Sequence, residues 1–299
     1  MPDTSLALFF VADGQRLERQ SWPLAVSLFR THGQDPRVKL IAYTSPDYRA
    51  QVAPSTHAIY EACGVQLRDL PPPPKWKKSY PHGNKIVAAC DDRGTSHSVF
   101  LDTDMVCMRP LTEFMELPHQ CCAAAPEGRR TWGGLDRWER AYAHFGLKMP
   151  TERIRLLRER QAEYVPYFNA GFIAFSEADH PTDGKRFPQH WMETALDFDH
   201  NCGIANKRPW LDQITLPLTT NRFGYAMKIL DENHNYSLSN RGDYSITPDA
   251  AILHYHRFHF LSLAPQWPAL KEMMREVVPA DHQNELEEYL IRVDQATLG

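Results

Sequence analysis

The feature that most constrains this chain is an alternation of strand and helix patterns that leads into a pair of aspartates. Apolar runs at residues 6–12 ("LALFFVA") and 38–44 ("VKLIAYT") predict buried strands, and residues 22–33 between them have helical periodicity that ends at a glycine. Further strands are predicted at 65–70 and 99–101. Strands that alternate with helices form a mostly parallel sheet, because each crossover returns the chain to the same edge. The expected fold class is therefore α/β, with a Rossmann-like central sheet and helices on both faces.

The remaining segments extend this pattern within one predicted domain, residues 1–299. The proline-rich stretch at 71–83 predicts a stiff, exposed loop, because proline lacks an amide donor and fixes φ. No internal repeat or linker-like composition divides the chain. Predicted helices lie at about 47–63, 83–92, 133–146, 151–164, 187–199 and 285–298, and predicted strands at 121–127, 168–176, 227–231 and 251–256.

The composition favours a soluble globular protein, with 42% apolar residues and a formal net charge of −4. This balance gives no reason to expect nucleic acid or an anionic membrane as a partner. No apolar stretch approaches the roughly 20 residues of a membrane-spanning helix, so no transmembrane segment is expected, and the N-terminal run predicts a strand, not a signal peptide. The six cysteines form no CxxC pair, which predicts buried thiols in a reducing compartment, with a cytoplasmic location as the default.

Asp102 and Asp104 directly follow the apolar run at 99–101. Alternate residues of an extended segment point to the same face, so both carboxylates can share one ion. Two such charges repel each other unless a cation or a solvated turn accommodates them. Carboxylate oxygens suit Mg²⁺ and Mn²⁺, which commonly bridge protein carboxylates to substrate phosphates. Taken alone, the motif is equally compatible with a metal site and with a plain turn at a strand end.

Two later motifs carry polar groups that suit a bound sugar. "VPYFNAGFIAFS" places Asn169, Ala170 and Gly171 before a strand, where the asparagine both donates and accepts and the glycine permits close approach of a ligand. "PWLDQITLPL" places Asp212 and Gln213 at the start of a helix. A carboxylate there is also favourable simply as a cap, and a turn before a strand needs no ligand.

The segment "AILHYHRFH" places His254 and His256 on one face of a strand. Imidazole is the commonest nitrogen ligand of transition metals in proteins. A single histidine is more often structural, but two at a strand end, in a chain that also has an Asp-x-Asp motif, favour a metal site.

The order of four elements along the chain resembles that of the family 8 glycosyltransferases. These elements are Asp-x-Asp after an apolar strand, "FNAG", "LDQ" and a strand ending in histidine. Those enzymes have the GT-A fold and are related to glycogenin and the bacterial lipooligosaccharide galactosyltransferases. The resemblance runs from residue 6 to about residue 256 and includes "LDENHNYSLSN" before the last strand. It implies a metal-dependent transferase that moves a sugar from a nucleotide-sugar, with UDP the usual carrier, to a glycan or small glycoside with retention of configuration. It also implies a nucleotide-binding half at about 1–110, a donor and acceptor half at about 111–260 and a helical tail at about 261–299.

The resemblance implies roles for individual residues as well. Asp102, Asp104 and His254 would bind Mn²⁺ or Mg²⁺, which would bridge the diphosphate of the donor. Asp212 and Gln213 are assigned to the catalytic centre, on the β-face of the sugar. Val11, Ala12 and Asp13 would lie against the base and Lys85 would reach the diphosphate or sugar. The other residues expected to bind the nucleotide-sugar are Thr103, Asn169, Ala170, Gly171 and Arg257.

The sequence departs from the family pattern after its last predicted strand. Members of the family usually carry a glycine three residues after the histidine and a lysine, which contacts the diphosphate, six residues after it. Here these positions are Arg257 and Phe260. Arg257 is therefore the candidate for the missing positive charge, and either His254 or His256 is the candidate metal ligand.

Three other functions are alternatives. "FLDTDMV" also matches the start of a haloacid dehalogenase-type phosphatase, but that fold carries the motif on its first strand, and its later acidic pair would have to be "GDYSITPD" at 242–249, where the spacing is too long. A nucleotidyltransferase would show a glycine-rich basic loop after the first strand, which "VADGQRLERQ" lacks. The missing lysine alone suggests a catalytically inactive GT-A binding module.

The interval between Asp-x-Asp and "FNAG" is expected, from the resemblance, to help form the acceptor face. Its aromatic residues Trp132, Trp138 and Tyr142 suit either stacking on a sugar ring or core packing, which is the commoner use. Its arginines suit either an anionic acceptor or a solvated helix face.

Overall fold

The computed structural model describes residues 4–159, 161–239 and 249–296. The strands, in chain order, are β1 (Leu6–Val11), β2 (Val38–Thr44), β3 (Val65–Asp69), β4 (His97–Leu101), β5 (Met105–Cys107), β6 (Cys121–Ala124), β7 (Ile154–Arg155), β8 (Glu163–Tyr164), β9 (Phe172–Ser176), β10 (Ala226–Ile229), β11 (Tyr236–Ser237) and β12 (Ile252–His254). The α-helices are α1 (Gln15–His32), α2 (Pro46–Arg49), α3 (Pro54–Ala62), α4 (Asn84–Ala89), α5 (Leu135–His144), α6 (Phe187–Asn201), α7 (Leu211–Phe223), α8 (Phe258–Ser262), α9 (Trp267–Val277) and α10 (Gln283–Gln295).

The chain forms two compact units. The first contains the residues up to 69, residues 101–113 and those from 233 onward, and the second contains residues 70–100 and 114–232. The prediction of a single functional domain stays a prediction.

In the first unit, β1, β2 and β3 form a parallel sheet in which Leu6 lies opposite Val38 and Leu40 opposite Val65. Every residue of β1 is buried, and α1 packs against β2, α3 and α9. A second, smaller sheet has the order β11-β12-β5, with β12 antiparallel to β5 and parallel to β11. This pairing brings the last residue of β12 next to the first residue of β5, and so next to the Asp-x-Asp turn.

In the second unit, the strand order is β10-β6-β9-β4, with β10 parallel to β6 and β6 antiparallel to β9. Helix α6 packs against α4 and α7. The unit also contains a core cluster dominated by aromatic side chains, which includes Tyr80, Trp132, Trp138, Tyr142, Tyr164, Tyr167 and Phe198. These rings come from segments that are distant in the chain, so the cluster packs those segments against one another.

The α/β class with mostly parallel strands is confirmed, and most predicted strands lie where expected. All six cysteines are free thiols. No helix among the described residues is long and apolar enough to cross a membrane.

The helix predicted at 151–164 is wrong. This segment instead contains β7 and β8, which pair antiparallel with Ile154 opposite Tyr164. Ile154 and Leu156 are buried while Arg155 between them is exposed, a period of two that is typical of a strand. The arginines and glutamates give the segment the composition of a polar helix, so this short alternation did not determine the prediction.

Two predicted helix boundaries also differ. The single helix expected at about 47–63 is two helices, α2 and α3, because Ala53 is extended, with φ −64° and ψ 145°, as a residue before proline prefers to be. Helix α1 begins at Gln15 instead of Trp22 and includes Pro23. Its first turns carry polar residues, which weaken the apolar signal.

Arg93 is buried in the second unit and joins three elements. Its guanidinium donates to the carbonyl oxygens of Ala88 and Ala89, at and near the end of α4, over 2.7 and 2.9 Å. It also donates to Ser98 Oγ on β4 over 2.9 Å and pairs with the carboxylate of Glu177, which directly follows β9. This cation therefore ties the helix terminus to two strands of the sheet.

We expect Arg93→Ala to lower the free energy of unfolding by about 3 kcal/mol, because it leaves a buried carboxylate and two carbonyl oxygens with fewer partners. Urea denaturation measures this change. Arg140→Ala is the matched control, since Arg140 is exposed on α5 and its loss is expected to change the free energy by less than about 0.5 kcal/mol. Equal effects of the two substitutions would contradict the structural role of Arg93.

Candidate functional site

The Asp-x-Asp motif forms a short turn between β4 and β5. Asp102 directly follows β4, Thr103 is buried, and Asp104 directly precedes β5. The Asp104 carbonyl oxygen accepts a hydrogen bond from the Tyr255 amide over 3.0 Å, which fixes the turn beside the end of β12. The His254 imidazole consequently faces the Asp104 carboxylate, with 3.2 Å between Nε2 and Oδ1.

Asn235 orients the His254 ring. His254 Nδ1 lies 2.8 Å from Asn235 Oδ1, and an amide oxygen only accepts, so Nδ1 carries the proton. In the neutral ring the lone pair is then on Nε2, the nitrogen that faces Asp104. Metal-binding histidines typically have this arrangement, in which an oxygen atom holds the other ring nitrogen.

His256 completes a cluster of three ligands. It has φ 58°, in the left-handed region, and its ring centroid lies 3.8 Å from that of His254. Its Nε2 lies 2.8 Å from Ser237 Oγ. Asp104, His254 and His256 each offer one ligand atom, and these atoms lie within 4.8 Å of one another. Asp102 is not part of this cluster.

The electrostatics keep the Asp104 carboxylate ionised. Desolvation raises the pKa of Asp104, but the charges of His254 and His256 and the hydrogen bond with His254 lower it, and the net result is a pKa of about 2. One carboxylate and two imidazoles suit a divalent transition metal such as Mn²⁺ better than Mg²⁺, which prefers oxygen ligands. The residues present therefore fit the metal that the family resemblance implies.

In the second unit, three predicted residues meet around one ammonium group. Lys85 Nζ, on α4, lies 3.0 Å from Asp212 Oδ2 and 3.1 Å from the Ala170 carbonyl oxygen. The other Asp212 oxygen accepts a hydrogen bond from the Tyr80 hydroxyl over 2.7 Å. Lys85 and Asp212 are 8% and 3% exposed, so this is a buried ion pair whose charges are both hydrogen-bonded. Asp212 lies in the first turn of α7, but its side chain does not cap the helix.

Asn169 and Gln213 are held through their amide groups. Asn169 Oδ1 accepts from the Gly171 amide and Nδ2 donates to Glu127 Oε2, both over 2.9 Å. Gln213 Oε1 accepts from the Tyr167 hydroxyl over 2.8 Å. Within the described residues the Gln213 amide nitrogen has no hydrogen-bond acceptor, so it is available to a ligand.

The residues at the end of β1 are fixed by the neighbouring strand. The Ala12 amide donates to the Tyr43 carbonyl oxygen over 2.8 Å. Asp13 Oδ1 accepts from the Ser45 amide over 2.9 Å and from the Ser45 hydroxyl over 2.6 Å, and Val11 is buried. These residues lie at the carboxyl ends of parallel strands, where α/β folds bind their ligands.

Arg257, the candidate for the missing positive charge, directly precedes α8. Its side chain is exposed. A guanidinium in water is accessible to a phosphate group, so the prediction that Arg257 contacts the diphosphate stands as a prediction.

Four polar residues of these clusters had no predicted role: Tyr80, Glu127, Tyr167 and Asn235. Asn235 lies within "LDENHNYSLSN", so the family resemblance contained a signal for it. Tyr80 lies in the proline-rich loop that was predicted to be exposed, yet it is only 4% exposed. Its burial depends on contacts with distant segments, which local periodicity cannot indicate.

The aromatic residues expected either to stack on a sugar or to pack in the core belong to the core. Trp132, Trp138 and Tyr142 are 2%, 0% and 1% exposed. The two tryptophan rings contact each other edge to face, with 4.9 Å between centroids. The sugar-stacking alternative is wrong for these three residues.

Comparison with known proteins identifies the family. Residues 8–224 match the family model described as the Rhodobacterales glycosyltransferase domain. The chain belongs to this family. It is a glycosyltransferase, which decides against the phosphatase and nucleotidyltransferase alternatives. Most of the segment that the phosphatase alternative required, residues 242–248, lies outside the described residues.

Solved structures show the same fold at low sequence identity. The galactosyltransferase LgtC, crystallised with donor and acceptor sugar analogues, matches with a TM-score of 0.56 and 15% identity, over 93% of this chain and 99% of LgtC. An active-site glutamine-to-glutamate mutant of LgtC matches with a TM-score of 0.58 and 13% identity over the same shares. Mouse xyloside xylosyltransferase 1 matches with a TM-score of 0.52 and 14% identity, over 84% of this chain and 97% of the mouse chain. These matches confirm the predicted GT-A fold and the resemblance to family 8. No curated protein sequence matches the chain.

We expect His254→Ala to weaken Mn²⁺ binding by at least about ten-fold, because the substitution removes a ligand. We expect Asn235→Ala to weaken Mn²⁺ binding by about 10–100-fold, because the His254 ring loses its orientation. Electron paramagnetic resonance of free Mn²⁺ measures both. His57→Ala is the control, since His57 is exposed on α3 of the same unit.

Loss of Mn²⁺ binding in His256→Ala but not in His254→Ala would reverse the assignment of the principal imidazole ligand. Unchanged binding in both variants would contradict a metal site at this cluster.

Proposed function

We propose that this glycosyltransferase moves a sugar from a UDP-sugar to a glycan or small glycoside, in a reaction that depends on Mn²⁺ and retains the anomeric configuration. The observation that carries this proposal is the cluster formed by the Asp104 carboxylate with the imidazoles of His254 and His256. Asp104 belongs to the Asp-x-Asp motif that follows β4. LgtC, which was crystallised with donor and acceptor sugar analogues, shares the fold. The choice of UDP and of retention comes from the resemblance to family 8.

Asp104, His254 and His256 would hold the metal ion. Asp102 lies outside this cluster, and its role as a further oxygen ligand comes from the family resemblance alone. A bound divalent cation neutralises the charge that develops on a departing diphosphate. Asn235 holds His254 in the orientation that this role requires. The turn containing Thr103 sets the positions of both carboxylates.

The remaining residues of the first unit would bind the nucleotide. Val11, Ala12 and Asp13 are held rigidly at the strand ends, as a surface for the base requires. Arg257 would meet the diphosphate through its exposed guanidinium, in place of the lysine that related enzymes carry three residues later.

In the second unit, Asp212 would position other groups and would not act as a nucleophile. Both of its carboxylate oxygens are already bonded, one to Lys85 and one to Tyr80. These bonds stabilise the carboxylate charge and so make Asp212 a weaker nucleophile. Asp212 instead holds the Lys85 ammonium group in a fixed place, from which it would donate to the sugar or the diphosphate.

Gln213 would contact the β-face of the donor sugar with its free amide group, while Tyr167 fixes the other end of that amide. The active site of LgtC contains a glutamine, as its glutamine-to-glutamate mutant shows, which agrees with this role. Asn169, Ala170 and Gly171 would line the sugar through a turn that Asn169 closes with its own side chain.

We expect the wild-type protein to release UDP slowly from one UDP-sugar in Mn²⁺ and not in EDTA, and Asp104→Ala to abolish this release. The substitution removes a metal ligand, so the diphosphate loses its counter-charge. Circular dichroism should show that Asp104→Ala is folded. A folded Asp104→Ala protein with wild-type turnover would contradict the metal assignment, and turnover in EDTA would contradict metal dependence.

We expect Gln213→Ala to lower kcat by about 100-fold with little change in the KM of the donor, because the amide would act mainly as charge develops on the sugar. Steady-state kinetics of UDP release separate the two constants. Gln66→Ala, at an exposed position of β3, should match the wild type. A rise in KM alone would assign Gln213 to ground-state binding.

A further inference from the structure

The first unit contains a cavity of about 440 Å³ that is lined by three helices. This volume lies within the roughly 300–1,000 Å³ that small-molecule sites occupy. The cavity lining, all of it in the described part of the chain, contains none of the residues that we assign to the metal or the nucleotide. The lining consists of Gln15, Arg16 and Arg19 from α1, Phe258 from α8, and Glu285, Glu288, Tyr289, Arg292 and Val293 from α10.

Two aromatic rings form the main apolar part of this lining. Tyr289 is buried, and the half-buried Phe258 contacts it edge to face, with 5.8 Å between the ring centroids. The Phe258 ring also stacks on the buried Tyr255 ring, again with 5.8 Å between centroids. These contacts fix the Phe258 ring, and its partial exposure leaves ring surface for an aromatic group of a ligand.

The lining carries one positive charge in excess, because it contains three arginines and two glutamates. Arg19 pairs with Glu285, and Arg292 pairs with Glu288 over 3.4 Å. Arg16 is exposed, and among the described residues no carboxylate pairs with its guanidinium. The Arg16 guanidinium is therefore available to an anion, and its planar set of donors matches phosphate and carboxylate oxygens.

Two buried donors of the lining residues also have no partner within the described part of the chain. Arg19 donates to Glu285 through Nη2, but its Nη1 has no hydrogen-bond acceptor. The Tyr289 hydroxyl, on a side chain that is 6% exposed, has none either. Leaving a buried donor without an acceptor costs free energy. Both side chains belong to the cavity wall, so an acceptor oxygen bound in the cavity is a partner that the described chain does not supply.

We infer that this cavity binds a small organic anion, in which a phosphate or a carboxylate is attached to an aromatic ring. Arg16 binds the anionic group, and the ring packs against Phe258. A simple anion has no ring to pack there, and a neutral aromatic compound leaves Arg16 without a counter-charge, so both bind more weakly. The inference goes beyond the proposed function and does not depend on it, because the cavity shares no lining residue with the metal cluster or with the residues assigned to the nucleotide.

The test is calorimetric titration of the full-length protein by four probes. Phenyl phosphate and phenylacetate carry both a ring and an anion, methyl phosphate carries only the anion, and phenol carries only the ring. The titrations are made in EDTA, so that no metal ion at Asp104 can hold the phosphate of a probe, and are repeated with Mn²⁺ and UDP. The proteins are the wild type, Arg16→Ala, Arg16→Lys, Phe258→Leu and the control Arg140→Ala, which removes an exposed arginine of the second unit.

At least one ring-bearing anion is expected to bind the wild type about ten-fold or more tightly than methyl phosphate and phenol do. Arg16→Ala should weaken that binding by about ten-fold or more, Arg16→Lys should weaken it less, and Arg140→Ala should match the wild type. Phe258→Leu should weaken the ring-bearing anions and leave methyl phosphate unchanged. The ring-bearing anion that binds more tightly identifies the anionic group.

The inference would be overturned by binding of none of the probes, by equal binding of all four, or by equal effects of Arg16→Ala and Arg140→Ala. Displacement of the ring-bearing anion by UDP would overturn it too, because the probe would then occupy the nucleotide site. Circular dichroism checks that each variant is folded, which is expected of Arg16→Ala because Arg16 is exposed. Release of UDP from UDP-sugars tests the proposed function separately, and its outcome does not alter what the titrations decide.

Discussion

The ionised carboxylate of Asp104 is the constraint on which the first unit's candidate site depends. Its side chain is only 20% exposed, and it faces a histidine nitrogen at 3.2 Å. Asn235 fixes a proton of His254 on Nδ1. In the neutral ring Nε2 is then a hydrogen-bond acceptor, as is the Asp104 carboxylate oxygen that it faces. Two acceptors attract each other only when a proton or a cation lies between them. A second proton on the ring or a metal ion meets this requirement, and metal binding displaces such a proton. The arrangement therefore explains how Asp104 can stay ionised beside the end of a buried strand.

The second unit resolves its own buried charge differently. Lys85 and Asp212 neutralise each other directly, and Tyr80 and the Ala170 carbonyl oxygen satisfy their remaining hydrogen-bonding capacity. Such a pair seldom adds stability over an apolar pair of similar volume. It does fix an ammonium group and a carboxylate at defined places. The proposed binding of a sugar and a diphosphate would need such fixed groups more than it would need stability.

Local patterns in the sequence predicted the parts of this protein whose chemistry lies within a few consecutive residues. The runs that became β1 and β2 are almost entirely apolar, β3 alternates apolar and polar residues, and their parallel pairing follows from the helices between them. Asp104, His254, Asn169 and Asp212 were found because each belongs to a short motif in a family order. The patterns could not show that Lys85 pairs with Asp212, or that Tyr80 and Glu127 join the same clusters, because these contacts link segments far apart in the chain.

The segment that the patterns described least well is also one that is rich in arginine. At 151–164 a run of arginines and glutamates has the composition of a polar helix, and only the buried Ile154 and Leu156 reveal the strand period. Hydrogen bonds from residues 157–159 to residues 127 and 128 decide the outcome, since they bring the arginines of both segments into one space. A helix would have spread those charges over a solvated face. The strand pairing gathers them instead at one place in the second unit. The arrangement of these arginines thus depends on tertiary structure, whereas the order of the Asp-x-Asp and histidine motifs is already visible in the sequence.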